Sequence, residues 1–450
     1  MNRRFYYIPM AILFASIPFH LPLLVVIGLL ILVIIATTDI WATYCLRQLR
    51  YQRQFSEQRA LFGEQVTLSL SIENAKLLPL PWLEIEDTVP RALTMMGQKV
   101  RVSFVGDTAV LENLFSARSY ERVTRRYILN CNARGVHKFG PTVVRSGDVF
   151  GFISNEKTLA NWQYLLVYPL VAPLTSFNLP ARHPFGDRRA QRRLLEDPSR
   201  VIGVRDYVYG DSLRRVRWKA TARAMQLQSK IYEATTTYTM VIFLNVNTLF
   251  DTVYGLQPEL QELAICAAAS VSDWAINEGY AVGLYANTLM FMPEEQLHSE
   301  STSENEEEQG LDASVAAQLK RRRIHLPPAT SEEQRKRIMD MLARIQPYFG
   351  STLEDVIQAE RTRLPAGATI VVITSSINDH LLDTLGRLKQ SGHEVTILFV
   401  GDNPSPTRLA GITIYPLGGK EAWRKLEAAY SSTDDTSPQP DRAQGVGLSL

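Results

Sequence analysis

The spacing of apolar and polar residues divides the chain into three regimes. From Phe5 to Ala36 there is no Asp, Glu, Lys or Arg. A run this long and this apolar predicts a membrane-spanning helix. It is interrupted at Pro18-Phe19-His20-Leu21-Pro22, so it reads either as one long kinked helix or as a helical hairpin turning at the prolines. Arg3 and Arg4 precede the run, and Arg47, Arg50 and Arg53 follow it. Basic residues at both ends favour cytoplasmic placement of both ends, which a hairpin satisfies and a single span does not. Residues 1–46 are therefore expected to form a transmembrane hairpin.

The second regime, 47–180, has the two-residue period of half-buried strands. Gln65-Val66-Thr67-Leu68-Ser69-Leu70-Ser71-Ile72 alternates polar and apolar residues, and Trp82-Leu83-Glu84-Ile85-Glu86 repeats the pattern. Thr142-Val143-Val144-Arg145 and Leu165-Leu166-Val167-Tyr168 read the same way. Turn residues separate them: Pro79, Pro81, Pro90, Gly97, Gly106, Gly135, Gly140-Pro141 and Gly147-Asp148. Many short strands with regular turns predict a β-sandwich-like domain.

The third regime, 237–430, mixes continuous apolar runs with helical periodicity. Tyr238 to Val246, Thr369 to Thr374 and Glu394 to Val400 suit strands buried on both faces. Tyr280 to Tyr285 is a further strand. Leu260, Leu263, Ala264, Ala267, Val271, Trp274 and Ala275 recur at helical spacing. Ser331-Glu332-Glu333-Gln334 reads as a capping box, and Asn378 to Ser391 as a helix stopped at Gly392. This alternation predicts an α/β, mostly parallel, doubly wound sheet. The whole is a multidomain chain, with a connector at 181–236 and a disordered tail at 431–450.

Charge and cysteine content narrow the functional classes. The net charge is +2 over 450 residues, so no global polyelectrolyte character calls for nucleic acid. Arg182, Arg188, Arg189, Arg192 and Arg193 form a basic run with no interleaved stacking aromatics. It reads as a salt-bridged connector first and a contact for anionic lipid second. Glu294 to Gln309 is acidic and Ser-rich and reads as a disordered loop. Cys45, Cys131 and Cys266 are widely spaced and offer neither a metal-ligand spacing nor a disulfide framework. No phosphate-binding G-x-x-x-x-G-K-[ST] loop occurs, which argues against an ATPase in this chain.

The densest chemistry lies between Arg205 and Arg223, where six basic residues, two acids, two Tyr and one Trp share nineteen positions. Gly210 suits a tight turn, and Asp211 or Ser212 can cap a helix. Leu213, Val216 and Ala220 follow at helical spacing, with Arg214, Arg217 and Lys219 off that face. Two readings stand. In one the stretch is a structural clasp, with Arg205 paired to Asp206 or Asp211 and the aromatics filling a seam. In the other its guanidinium groups, together with Trp218, form an anion or partner site. No Ser-His-Asp or Cys-His arrangement is evident.

Arg205-Asp206-Tyr207, Gly210-Asp211-Ser212, Trp218-Lys219-Ala220 and Ala222-Arg223, with Leu194 to Pro198 upstream, resemble the signature of the bacterial domain of unknown function 58 family. Arg134-Gly135-Val136 and Asp148-Val149-Phe150-Gly151 resemble its second landmark. The resemblance implies a protein of the bacterial inner membrane with cytoplasmic soluble domains, the last of them similar to a von Willebrand factor A domain. It also implies a partner, a MoxR-type AAA+ ATPase, often alongside a transglutaminase-like membrane protein. Von Willebrand factor A domains often hold Mg²⁺ through Asp-x-Ser-x-Ser after the first strand. The matching positions here read Asn245-Val246-Asn247-Thr248-Leu249, and a later strand end reads Thr374-Ser375-Ser376. With the carboxylate replaced by an amide, no metal is expected.

The sequence-level expectation is therefore a membrane-anchored, non-enzymatic scaffold or adaptor without cofactor. Arg205, Asp206, Tyr207, Gly210, Asp211, Arg214, Trp218, Lys219 and Arg223 would hold domains together or dock the partner. The alternatives are an enzyme of unknown reaction using the Asp and Arg groups of the signature, and an anionic-lipid-binding protein.

Overall fold

The computed structural model describes residues 6–19, 22–96, 100–103, 106–148, 153–180, 185, 195–209, 212–235, 238–248, 257–291, 323–346, 351–402, 408–409 and 411–431. The basic run at 182–193, the acidic segment at 294–309 and most of the tail lie outside these residues. The chain divides into two compact units, 1–168 with 430–450, and 169–429.

The first unit opens with two helices, α1 (Tyr7–Phe19) and α2 (Pro22–Tyr44). Pro22 stands at the first position of α2, where its missing N–H removes no hydrogen bond. The helices pack antiparallel: Tyr6 Oη lies 3.3 Å from Asp39 Oδ2, and Leu13 meets Gly28. A Cβ at Gly28 would stand 2.9 Å from Leu13 Cγ, so this close approach requires glycine. Of the two helices, only α2 is long and apolar enough to cross a membrane, over Pro22–Trp41.

Three sheets follow. The first has the order β1 (Leu49–Phe55), β3 (Gln65–Asn74), β8 (Arg122–Asn130), β5 (Thr94–Met95). The second runs β11 (Ser154–Leu159), β10 (Thr142–Gly147), β4 (Leu80–Pro90), β7 (Thr108–Ala117), β6 (Arg101–Val102). The third is β2 (Arg59–Ala60), β12 (Gln163–Val167), β9 (Gly135–Phe139). The alternation in β3 turns Val66, Leu68, Leu70 and Ile72 inward, all buried. Val66, Leu68 and Leu70 share a core with Leu111, Leu129, Phe139 and Leu165, so side chains from all three sheets meet. In β4 the inward series Leu83, Ile85, Val89 includes one carboxylate, Asp87, fully buried. Its partner is Arg53, the inward residue of β1, whose guanidinium forks onto both carboxylate oxygens, with Nε at 3.0 Å from Oδ2. Tyr51 Oη donates to Asp87 Oδ2 at 2.7 Å and Thr142 Oγ1 to Oδ1 at 3.0 Å.

The second unit holds two sheets. One is the hairpin β13 (Leu195–Asp206) with β14 (Gln228–Thr235). The other has seven strands, in the order β17 (Arg323–Ala329), β16 (Ala281–Leu289), β15 (Thr239–Leu244), β18 (Thr369–Thr374), β19 (Glu394–Val400), β21 (Ile412–Gly418), β20 (Arg408–Leu409). The five central strands are parallel and both edge strands antiparallel. Short α3 (Trp218–Ala224) belongs to the hairpin connection. Helix α4 (Pro258–Asn277) packs on β15, β16 and β18, and is followed by α5 (Glu332–Ala343). Helices α6 (Leu353–Glu360) and α7 (Asp379–Gln390) share a core with Val241, Phe243, Ile370, Val372 and Ile397. Helix α8 (Lys420–Ser431) closes the order.

One local expectation changes. Ser331 caps α5 by accepting from Gln334 N at 3.0 Å, but the Gln334 side chain does not reach back. It donates instead to Val282 O and Pro327 O, tying the helix to β16 and β17. The reciprocal capping box stands at Thr352 and Asp355, opening α6. As expected, α7 stops before Gly392, at φ +91°, and the structure adds a cap at Asn378, which accepts from Leu381 N at 2.7 Å.

Candidate functional site

The signature stretch is the connection between β13 and β14. The ladder runs out through Asp206 opposite Gln228 and one further bond, Tyr207 N to Leu227 O at 2.9 Å. Asp206 Oδ1 also accepts from Gln228 Nε2 at 2.6 Å. The chain then returns to the start of β14: Val216 bridges Ser229, and Arg217 N donates to Gln228 O at 2.9 Å. Thr221 Oγ1 accepts from Gln228 N at 3.0 Å, fixing α3 against the strand.

This corrects the continuous helix expected from the spacing of Leu213, Val216 and Ala220. Leu213 to Arg215 form a 3₁₀ turn, Val216 is extended, and α3 begins only at Trp218. Val216 is buried and bridged to Ser229, so strand pairing takes the residue that helical periodicity would have claimed. Ser212 makes no side-chain cap. Gly210 and Asp211 lie outside the described residues, as does the Arg214 side chain.

Arg205 and Asp206 are exposed at the end of β13, and Tyr207 is half-buried. Asp206 gives its carboxylate to Gln228, and the Arg205 guanidinium lies 3.4 Å from the Asp206 backbone oxygen. The aromatic and apolar residues face outward: Tyr209 is fully exposed, Trp218 68%, Leu213 69% and Met225 87% exposed. Beside them, Arg217, Lys219 and Arg223 line an open concavity of about 560 Å³ together with Val204, Ala220, Ala224 and Gln228. Among the described residues no acid lines it and these three cations make no ion pair. Arg217 and Gln228 were outside the set of signature residues singled out from sequence. The return of the chain to β14 is what brings them to Lys219 and Arg223.

The second candidate lies at the carboxyl ends of β15, β16 and β18. Asn245 Nδ2 donates to Thr374 Oγ1 at 3.0 Å, while its Oδ1 accepts from Asn247 N at 3.1 Å and Asn287 Nδ2 at 2.8 Å. Asn287 Oδ1 accepts from Val246 N at 2.9 Å. Thr374 Oγ1 donates to Ser376 O at 2.8 Å, and Ser375 Oγ donates to Asn247 O at 3.1 Å. Asn245, Thr374, Ser375 and Asn287 are buried, and Asn247 is exposed. The network is neutral, and both acceptor positions of the Asn245 carbonyl oxygen are already used. This donor set does not fit Mg²⁺, which binds hard oxygens and usually at least one carboxylate. Among the described residues no group of three or more His, Cys, Asp or Glu stands close enough to hold a metal. The sequence pattern points to Asn245, Asn247, Thr374 and Ser375, which the fold brings together, but not to Asn287. Its one signal is an amide within an otherwise buried strand, Ala281 to Leu289.

Burial pushes the Cys131 and Cys266 thiols up to about 12.

Residues 203–303 match a family model described as "Protein of unknown function DUF58". The matched segment begins within β13 and takes in the signature connection, β14, β15, α4 and β16. A relative, "Uncharacterized protein YeaD" of Bacillus subtilis (strain 168), is 25% identical over 244 residues, which cover 54% of this chain and 57% of that protein. The chain thus spans somewhat over half the length of the curated relative it matches. Likenesses to solved structures are low. A cohesin module of a Clostridium perfringens family 33 glycoside hydrolase has a TM-score of 0.19 at 12% identity, covering 26% of this chain and 96% of that one. The Pseudomonas fluorescens alkylpurine DNA glycosylase AlkC has 0.18 at 13% identity, covering 29% and 35%. No argument about fold or function rests on either.

Proposed function

We propose that this protein is a membrane-anchored, non-enzymatic adaptor whose DUF58 segment docks an acidic face of a partner protein. The observation that carries this reading is the outward surface of the signature connection. Tyr209, Leu213, Trp218 and Met225 are exposed there beside Arg217, Lys219 and Arg223, which have no counter-charge among the described residues. An exposed aromatic beside unneutralised guanidinium groups is the composition of a protein-binding hot spot. Charge complementarity selects an acidic occupant.

The family resemblance gives that occupant an identity, a MoxR-type AAA+ ATPase, with a transglutaminase-like membrane protein as companion or client. In this reading the seven-stranded body is von Willebrand factor A-like, with its metal corner replaced by the neutral network around Asn245. Helices α1 and α2 form the anchor, and Arg47 and Arg50 beyond α2 keep the soluble units on the cytoplasmic side of the inner membrane.

The test is binding of the detergent-solubilised full chain to a purified MoxR-type ATPase. Trp218→Ala combined with Arg217→Glu and Arg223→Glu is expected to lower affinity at least about tenfold, the scale of one interface hot spot. An unchanged affinity with a folded variant overturns the reading. Calorimetry with Mg²⁺ is expected to show no saturable heat, and micromolar binding would restore a metal site.

A further inference from the structure

A second concavity, of about 310 Å³, lies where α2 ends, lined by Ile40, Tyr44, Arg47, Gln48, Lys76 and Leu78. Its walls are built rather than accidental. Trp41 Nε1 donates to Pro79 O at 3.1 Å, holding the loop after β3 against the helix end. Lys76 Nζ donates to Cys45 O at 2.6 Å and Arg47 O at 2.9 Å, so a buried ammonium ties together the carbonyls of the turn that follows α2. Two of its three hydrogens are used there and one is left. Ala75 N donates to Gln48 O at 3.1 Å, closing the corner.

The lining is amphipathic in a particular order. Ile40 and Leu78 give one side apolar carbon, and Tyr44 adds an aromatic face on which the Arg47 guanidinium stacks, 4.9 Å from the ring centroid. Arg47 makes no ion pair with a described residue, whereas its neighbour Arg50 stands 3.7 Å from Glu73. Among the described residues no acid lines the concavity. The apolar window of α2 ends at Trp41, so Tyr44 and Arg47 follow it by one to two helical turns at most. A helix that crosses the hydrocarbon would therefore deliver this concavity to the level of the lipid headgroups, where Trp and Tyr concentrate.

We propose that this concavity binds the phosphate of an anionic phospholipid, with Arg47 and the remaining Lys76 hydrogen on the phosphate and an acyl chain along Ile40 and Leu78. This rests on the reading that α2 spans a membrane. It also places lipid recognition away from the basic run at 182–193, on residues that the fold assembles. A free phosphate would satisfy the cations and leave the apolar wall uncovered, which is why the lipid is the ligand assigned.

The test uses the full chain in mild detergent, incubated with equal amounts of phosphatidylglycerol and phosphatidylcholine and read by native mass spectrometry. The wild type is expected to retain phosphatidylglycerol preferentially. Arg47→Gln is expected to lower that retention about fivefold, the effect of one cation near an anionic surface, and to leave phosphatidylcholine unchanged. Ile40→Ser is expected to weaken retention of both lipids. Equal retention of the two lipids by wild type, or a variant Arg47→Gln that retains as much, overturns the site. Binding of sn-glycerol 1-phosphate as tight as that of phosphatidylglycerol would reassign it to a soluble phosphate and overturn the lipid. Alkaline carbonate extraction of membranes separates the two levels. A chain that stays in the membrane yet shows no lipid preference loses only this site, whereas a chain that is extracted loses the spanning reading and this site together.

Discussion

Asp87 occupies a core position in β4, and its carboxylate is held by Arg53, Tyr51 and Thr142 from β1 and β10. With both charged side chains wholly excluded from solvent, desolvation offsets much of the attraction, so the pair contributes specificity of strand placement more than net stability. Removing one partner is another matter, because the other charge stays buried. Asp87→Ala is expected to destabilise the first unit by about 3–5 kcal/mol, measured by urea unfolding. The same enclosure raises the Tyr51 phenol well above its usual range, burial first and the Asp87 charge second. His137, buried in the middle of β9, behaves oppositely. Burial lowers its pKa below the ordinary 6.5, against the bond to Ala133 O. The unfolded chain therefore binds a proton at a pH where the folded chain does not. The stability from neutral His137 is present above about 6.5 and is lost as pH falls through that value towards the folded pKa. Replacing His137 by Gln is expected to flatten the pH dependence of the unfolding midpoint between pH 7 and pH 5, and an unaltered slope would remove His137 as its source. The thiols of Cys131 and Cys266, pushed up to about 12 by burial, are expected to resist a disulfide reagent at pH 8 until the protein is unfolded.

At the scale of elements, the parallel strands β15 and β18 and their neighbour β16 are joined at their ends by side chains as well as by the ladder. Asn245 is the hub, bonded to Thr374, Asn247 and Asn287. Asn245→Ala takes the acceptor from the buried Asn287 Nδ2 on β16 and one donor from Thr374 Oγ1 on β18, and is expected to cost about 1–3 kcal/mol in denaturant unfolding. Its signature counterpart is Val216, whose bridge to Ser229 interrupts what would otherwise be one helix. The pair α1 and α2 depends on contact at Gly28. A bulkier residue there meets Leu13 directly and is expected to separate the helices, read as slower cross-linking of cysteines introduced on their facing sides.

For the molecule as a whole, the membrane reading concentrates on the first forty residues. α2 is 23 residues long, roughly 35 Å of helix, against 13 residues, roughly 20 Å, for α1. A hydrocarbon core is about 30 Å thick, so α2 alone matches it. A chain starting at residue 37 keeps Trp41, Cys45 and Lys76, which hold the helix end to the β-rich unit. That truncation is expected to fold and to appear in the soluble fraction, whereas the full chain sediments with membranes and resists carbonate. A soluble full chain would withdraw the anchor.

Periodicity by itself determined a good deal: the apolar segment at the start, the alternation of β3 and β4, the continuous apolar strands β15, β18 and β19, and helix α7 with its stop at Gly392. Each follows from a local rule, because burial on one face or two writes itself into neighbouring residues of the same element. Tertiary structure decided the rest. Arg53 and Asp87 stand 34 positions apart and look like ordinary surface charges until two strands are paired. Asn287 is 42 residues from Asn245, and only the parallel register of β15 with β16 sets them side by side. Val216 carries helical spacing, yet it lies beside Ser229 and adopts the strand. Lys76 and Arg47 meet only because the loop after β3 folds back onto α2. Contacts between distant segments leave no period in the sequence, so sites assembled from them are legible only once the chain is folded.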